Sequence, residues 1–337
     1  MSEPGRKFFL GIESTAHTFG AGIVDNEGNI LSNEKMTYEP ERGAGFIPAE
    51  MAEHHAKNAA EIVKSALRKA KIEMEDMAAV AFSQGPGIPN ALRVGSTIAR
   101  HIALRYGHDL VGVNHCVAHI EIGGAMTGCK NPIVLYLSGG NTQVIAYAEG
   151  RYRVFGETQD IAIGNAIDTL ARHLGLQFPY GPNFDTLATE GKKYIELPYV
   201  VKGMDLSFSG MLTAAMKIKQ GIGKAGASKA DICYSFEETA FAMLTEVTER
   251  ALAHTGKKEV LLVGGVAASK RLQTMLKKMC DARGASIYVV PEEYSGDCGA
   301  MIAVAGMMAH KSGQRTRIED SAIRQKWRTD EVEILWR

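Results

Sequence analysis

The chain has 337 residues, in which 38 Lys+Arg balance 38 Asp+Glu and 45% of residues are hydrophobic. This balance excludes a disordered tail protein and a chain that grips nucleic acid by net charge alone, and the length suits two domains of about 150 residues each. Five widely spaced cysteines (Cys116, Cys129, Cys233, Cys280 and Cys298) with no CxxC pair argue against a disulfide framework or zinc ribbon and for a reducing interior. The start, MSEPGRKFFLGIEST, has no apolar leader region. The apolar run from Gly299 to Ala309 is shorter than the about 20 residues that a membrane span takes. A soluble, cytoplasmic protein without membrane contact is expected.

Residues 8–32, FFLGIESTAHTFGAGIVDNEGNILS, predict strand, small polar turn, strand, turn and strand. Helical sequence follows in EMAEHHAKNAAEIVKSALRKA, either a core helix or a partner face with Glu50, Glu53, His54 and His55 upon it. The strand MAAVAFSQGPG then feeds a helix over NALRVGSTIARHIALRY. Residues 133–155 repeat the opening grammar: IVLYL, the turn SGGNT, QVIAYA, a turn and a further strand. Helical segments AIGNAIDTLARHL and SFEETAFAMLTEVTERALAHT come next, and EVLLVGGVAASKRLQTMLKKM is again a strand feeding a helix. Two duplicated βββαβα domains predict an α/β protein of the actin-like ATPase or sugar-kinase (ASKHA) fold. We expect the first domain over 1–130 and the second over 131–298. The helix near 299–312 is expected to pack back onto the first, and 313–337 is a basic C-terminal segment.

His115 and His119 are four apart in NHCVAHIEIG. With Asn114 as N-cap, a helix starting there stacks both rings on one face, a usual metal-ligand spacing. One core and one surface histidine is the plain alternative. A zinc peptidase needs Glu directly after the first His, where this chain has Cys116. Asp297, before a small-residue helix, is either a further ligand or a helix cap; Tyr136 is either a phenolate ligand or strand packing. Two His with hard oxygen donors suit iron or zinc better than calcium.

Ser138, Gly139 and Gly140 in YLSGGNTQ let backbone N–H groups approach an anion with no Cβ in the way. Glu13, Ser14, Thr15 and His17 occupy the equivalent first turn. Gly264 and Gly265 allow a base or ribose to lie against the backbone. Asp168 and Asp185 suit ribose hydroxyls, being acceptor-only when ionised, or are ordinary helix carboxylates.

Together these strings resemble one family, the universal tRNA threonylcarbamoyladenosine transferases, in the archaeal/eukaryotic branch that acts in the KEOPS complex. The matching strings are GIESTAHTFGAGIV, PGxxxxLRVG from Pro86 to Gly95, NHCVAHIEIG, YLSGGNTQV, DIAIGNAID, LSFSG, LLVGGVAASKRL, SGDCGAMIA and QKWRTDEVEILW. They run from end to end of the chain. The resemblance implies one divalent metal, Fe(2+) ahead of zinc, on His115, His119, Tyr136 and Asp297. It implies contacts from Tyr136, Leu137, Ser138, Gly139, Gly140, Asp168, Gly181, Asp185, Gly264, Gly265 and Ser269 to an adenine nucleotide, whether threonylcarbamoyl-adenylate or an ATP analogue. Two positions depart from the family pattern: Ser269 stands where Asn is usual, and Tyr180 precedes Gly181-Pro182 where Gly is usual.

The implied reaction transfers threonylcarbamoyl from its adenylate to N6 of the adenosine 3′ of the tRNA anticodon and releases AMP. Glu13 is the candidate for taking the amine proton. Residues 310–328 carry six Lys/Arg against Glu319 and Asp320, and residues 216–229 carry four Lys; each is a phosphate-contacting surface or an ordinary solvated one. Implied partners are tRNA, a small kinase-like ATPase, a small dimerising subunit and a tRNA-binding accessory subunit. Rival readings are a small-molecule kinase of the same fold, an ATP-binding scaffold and, least compatible with Cys116, a metallopeptidase.

Overall fold

The computed structural model describes residues 7–40, 45–220 and 227–337. The chain divides into two compact units, Met1–Met126 with Ala148–Tyr152 and Gly296–Arg337, and Thr127–Tyr147 with Arg153–Ser295. In the first unit the order is β1 (Phe8–Glu13), β2 (Thr18–Asp25), β3 (Ile30–Thr37), α1 (Pro48–Ala70), β4 (Met77–Gly85), α2 (Pro89–Tyr106), β5 (Asp109–Asn114) and α3 (His115–Thr127). The second unit begins with β6 (Ile133–Leu137), β7 (Thr142–Ala148), β8 (Arg151–Glu157), α4 (Ile163–Leu174) and α5 (Tyr180–Ala188). A two-stranded ribbon, β9 (Val201–Lys202) and β10 (Asp205–Leu206), precedes α6 (Ser209–Gln220) and α7 (Lys229–Thr255). Then come β11 (Glu259–Val263), α8 (Lys270–Arg283), β12 (Ser286–Val289) and the single turn α9 (Glu292–Ser295), before α10 (Gly299–Lys311) in the first unit.

The duplication lies in the sheets. The first is ordered β3-β2-β1-β4-β5 and the second β8-β7-β6-β11-β12. In each, the first strand is antiparallel to the second and parallel to the strand that follows the helical segment. Each unit also closes on a fifth strand beyond the expected βββαβα. The second carries α5, the ribbon and α6 as extra elements.

The boundaries differ in detail from 1–130 and 131–298. Residues 148–152 and 296–298 group with the first unit. Arg151 pairs with Glu333 as an isolated bridge and ion pair, and the Tyr152 hydroxyl donates to Glu121 at 2.7 Å, which ties the 148–152 turn to the C-terminal segment and α3.

Every residue of β1 and β2 is buried, so this sheet is covered on both faces. Strand alternation sorts the faces. Leu10, Ile12, Phe19 and Ile23 join Ile62 and Val63 of α1 in one apolar cluster. Such side chains stabilise by about 1.5–3 kcal/mol each when fully buried. The opposite face carries Gly11, Gly20 and Gly22, and here α10 lies backbone to backbone on the strands. A Cβ on Gly11 would stand 2.1 Å from Ala303 N, one on Gly22 would stand 2.3 Å from Ala300 N, and one on Gly299 would stand 2.2 Å from Gly22 N. The small residues of FGAGIV and GAMIAVAG therefore exist to match each other, and their contact fixes the turn just before α10. Because β1 alternates, Glu13 points to this same glycine face.

Of the α1 alternatives, the structure shows a core helix: Met51, His55, Ala59, Ile62, Val63 and Ala66 are buried, and the helix packs on β2 and β3. Glu50 and Glu53 face outward. All five cysteines are buried, and none forms a disulfide among the described residues. No helix among the described residues is long and apolar enough to cross a membrane.

Candidate metal centre and nucleotide-binding loops

Asn114 ends β5 and caps α3: its Oδ1 accepts from Cys116 N at 3.0 Å and Val117 N at 3.2 Å. The cap starts the helix at His115, so His119 follows one turn later on the same face. The rings stand perpendicular with centroids 4.7 Å apart. Asp297 is no cap; that position belongs to Cys298. The turn held by α10 instead delivers its Oδ1 to within 3.2 Å of His119 Nε2 and 3.4 Å of His115 Nε2. The three donors converge within 4.8 Å of one another, an arrangement able to hold a metal ion.

Glu13 organises this cluster from behind. Its Oε2 lies 3.0 Å from His115 Nδ1, while Oε1 accepts from Thr15 N at 2.6 Å and from Thr15 Oγ1 at 2.5 Å. Glu13 is wholly buried and both its oxygens are engaged, which makes it a positioning group for His115 and not the free base that the sequence suggests. The fields follow from this geometry. Burial opposes a charge on His115, but Glu13 and Asp297 outweigh it and push the imidazole up to about 9. His119, buried and repelled by His115, is lowered despite its bond to Asp297. The Asp297 carboxyl is held well below the usual range: burial works against its charge, and His115 and His119 overcome burial. A cation among these donors would sit in a field already built for one.

The turn after β1 differs from the phosphate turn it was matched to. Ser14 N donates to Ser83 Oγ at 3.0 Å and Thr15 N is spent on Glu13, so these amides are committed within the protein. His17 is half-buried, stacked on Phe46 with centroids 4.9 Å apart, and lowered by burial against the pull of Asp297.

In the second unit the turn after β6 does present an open backbone. Ser138 Oγ accepts from Gly140 N at 3.3 Å and Asn141 N at 3.0 Å, folding the loop on itself. Gly139 and Gly140 are exposed, and a Cβ on either would meet nothing within 4 Å. The loop rests on the start of α4, where a Cβ on Gly164 would come 2.7 Å from Ser138 O. That helix N-terminus adds a favourable field for an anion. Leu137 and Tyr136 are wholly buried at the end of β6; Tyr136, expected among the ligands, belongs to this second unit. Gly264 bends with φ +92 against Leu137 O, and Gly265 leaves open space. Ser269 caps α8 by accepting from Leu272 N.

Asp168 is half-buried on α4, where burial raises its carboxyl to about 6 against the pull of Arg172. Gly181, half-buried with free space where a Cβ would stand, and Asp185 lie on α5, so the Tyr180-Gly181-Pro182 segment is the first turn of a helix and not a loop. One residue with no readable spacing signal is Asp160. It accepts from Ser207 Oγ, from Phe208 N at 2.9 Å and from Ser209 N at 3.1 Å, pinning the LSFSG string beside α4.

The basic C-terminal segment is largely paired. Arg315 meets Asp109 at 2.5 Å, Arg317 meets Asp320 at 2.7 Å, Arg328 meets Asp330 at 3.1 Å, and Arg324 stacks 4.0 Å over Trp327. These pairs contribute little stability, and Asp109 and Asp330 offset only part of the positive charge counted from sequence. Within the other basic stretch, 216–229, residues 221–226 lie outside the described residues.

Two duplicated sheets in this order define an α/β protein of the actin-like ATPase fold. Solved structures agree. HypF of Thermococcus kodakarensis matches with a TM-score of 0.61 at 16% identity over 91% of this chain and 48% of its own. Component A of (R)-2-hydroxyglutaryl-CoA dehydratase from Acidaminococcus fermentans matches at 0.54 and 14% over 92% and 99%. At such identities the likeness is one of fold. Sequence comparison is more specific. The TsaD family, tRNA N6-adenosine threonylcarbamoyltransferase, matches residues 28–304. A tRNA N6-adenosine threonylcarbamoyltransferase of T. kodakarensis is 57% identical over 97% of this chain and 99% of its own length. A probable bifunctional tRNA threonylcarbamoyladenosine biosynthesis protein of Methanosarcina mazei is 54% identical, and this chain spans 60% of it. The chain belongs to the tRNA N6-adenosine threonylcarbamoyltransferase family.

Proposed function

We propose that this chain moves the threonylcarbamoyl group from threonylcarbamoyl-adenylate to N6 of the adenosine 3′ of the tRNA anticodon, releasing AMP, with one divalent metal on His115, His119 and Asp297. Family membership supports the reaction. The observation that supports the metal is the convergence of three buried or half-buried donors within 4.8 Å, backed by Glu13. Two imidazoles and a carboxylate suit iron or zinc, and iron is our choice. Bound there, the ion would act as a Lewis acid that neutralises charge developing on an oxygen of the activated anhydride.

The remaining work falls to the chain's own groups. The exposed Gly139 and Gly140 backbone and the α4 N-terminus receive the phosphate. Asp168 and Asp185 accept from nucleotide hydroxyls, and the open Gly181 and Gly265 leave room beside them. Holding the acyl donor still lets proximity to the weakly nucleophilic amine carry much of the acceleration. With Glu13 committed to His115, the amine proton leaves by another acceptor. The paired charges of 315–328 fit a reading in which accessory subunits of the KEOPS type help to hold tRNA. The setting is cytoplasmic.

The test is transfer itself: threonylcarbamoyl-adenylate, unmodified tRNA, this chain and those subunits, with modified adenosine read by mass spectrometry. Modified adenosine that appears only with this chain supports the reading; bound nucleotide without transfer sinks it.

A further inference from the structure

Deep in the second unit, α7 presents another acid to α5. Glu237 is 4% exposed, and its carboxyl lies against that of Asp185. Their sequence neighbours Phe236 and Phe184 meet edge-on with centroids 6.0 Å apart, which locks the two helices at this level. Two carboxyl groups hydrogen-bond each other only when a proton lies between them. Burial decides which one owns it. Asp185 is partly exposed, whereas Glu237 is enclosed, and enclosure disfavours the charged form of Glu237. Glu237 Oε1 finds no hydrogen-bond partner among the described residues. An orphaned oxygen is far less costly on a neutral acid than on a buried carboxylate. Arg271 of α8, which favours the charged form of Glu237, is itself bound in fork geometry to the neighbouring Glu238. In keeping with this, burial, followed by Asp185 and Glu238, pushes the Glu237 carboxyl up to about 10.

We propose that Glu237 is a positioning residue: as a neutral acid it donates to Asp185 and holds that carboxylate in place to accept from a nucleotide hydroxyl. The inference rests on the reading of Asp185 as a nucleotide contact. It gives Asp185 one oxygen anchored and one for ligand.

The experiment uses the full chain and two readouts. Affinity for a non-hydrolysable ATP analogue is measured by calorimetry for wild type, Glu237→Gln, Glu237→Met and Asp185→Ala. Infrared spectra at neutral pH, compared between wild type and Glu237→Gln, report the protonated carboxyl. Glu237→Gln, which keeps a neutral donor, should bind within about twofold of wild type. Glu237→Met fills the same space without a donor and should bind about tenfold more weakly, the worth of one hydrogen bond to a charged group. The difference spectrum should show the loss of a protonated-acid carbonyl band. Equal weakening in Gln and Met variants, or no band, overturns the proposal. Wild-type affinity in Asp185→Ala overturns the nucleotide role of Asp185 and the positioning role with it, while the band still decides whether the proton is shared.

Discussion

Glu13 Oε2 lies 3.0 Å from His115 Nδ1, and Asp297 Oδ1 lies 3.4 Å from the Nε2 of the same ring. The imidazole is held from behind by one carboxylate and turned to face the other. A partner of this kind fixes ring orientation and raises ligand basicity. Glu13→Ala should therefore lower metal affinity by about 10–100-fold and leave the fold intact, as measured by chelator competition and circular dichroism. Unchanged affinity would show that the His115–Glu13 contact has no part in metal binding.

The packing of α10 gives a second expectation. Gly22→Ala places a methyl 2.3 Å from Ala300 N, whereas Gly139→Ala meets nothing within 4 Å. Overpacking of this kind costs about 1–3 kcal/mol or more, so Gly22→Ala should melt at a clearly lower temperature and lose metal as Asp297 shifts. Gly139→Ala should melt like wild type and bind nucleotide more weakly. Equal melting of the two variants would contradict the backbone-to-backbone contact.

Asp168 should impose a pH dependence. Its folded carboxyl stands at about 6, above its ordinary value of 3.8. As pH falls through 6 the acceptor is lost, so nucleotide affinity should drop by up to about tenfold per unit. In the same window the folded state binds more protons than the unfolded one, so this group's contribution to stability rises as pH falls. Asp168→Asn should flatten the affinity profile between pH 5 and 7, in a buffer series read by calorimetry. A wild-type profile in that variant would remove Asp168 from the nucleotide contacts.

Glu121 offers a test of the C-terminal anchor. Buried on α3, it accepts from Tyr152 Oη at 2.7 Å and Trp336 Nε1 at 3.0 Å, with Arg337 at 3.4 Å. Trp336→Phe removes one donor to a buried charge and should destabilise the protein by about 1–3 kcal/mol in denaturant titration. A change of no more than a few tenths of a kcal/mol would show the contact to be incidental.

Much of this was legible before any coordinates. The strand–turn–strand grammar of 8–32 and 133–155 carried the duplication, because turn chemistry and alternation are local. The HxxxH spacing and the Asn114 cap carried two of the three convergent donors for the same reason. Asp297 was legible only as a choice between ligand and cap, because what decides it is the contact of α10 with Gly20 and Gly22, far away in sequence. Glu13 read as a free base because spacing does not show that Thr15 and His115 occupy both its oxygens. Residues 310–328 read as either a phosphate-contacting surface or an ordinary solvated one, because spacing does not show that Asp109, far earlier in the chain, pairs with Arg315. Glu237 gave no signal at all: one acid of an EE pair in a long helix looks solvated until α5 covers it.

Threonylcarbamoyl transfer is proposed to depend on a metal held by His115, His119 and Asp297. The most direct measurement is single-turnover transfer to unmodified tRNA by wild type and by His115→Ala/His119→Ala, with metal content determined on the same preparations. Wild type should transfer, and the double variant should lose both transfer and metal while retaining its melting curve. Full transfer by a folded, metal-free double variant would contradict that dependence.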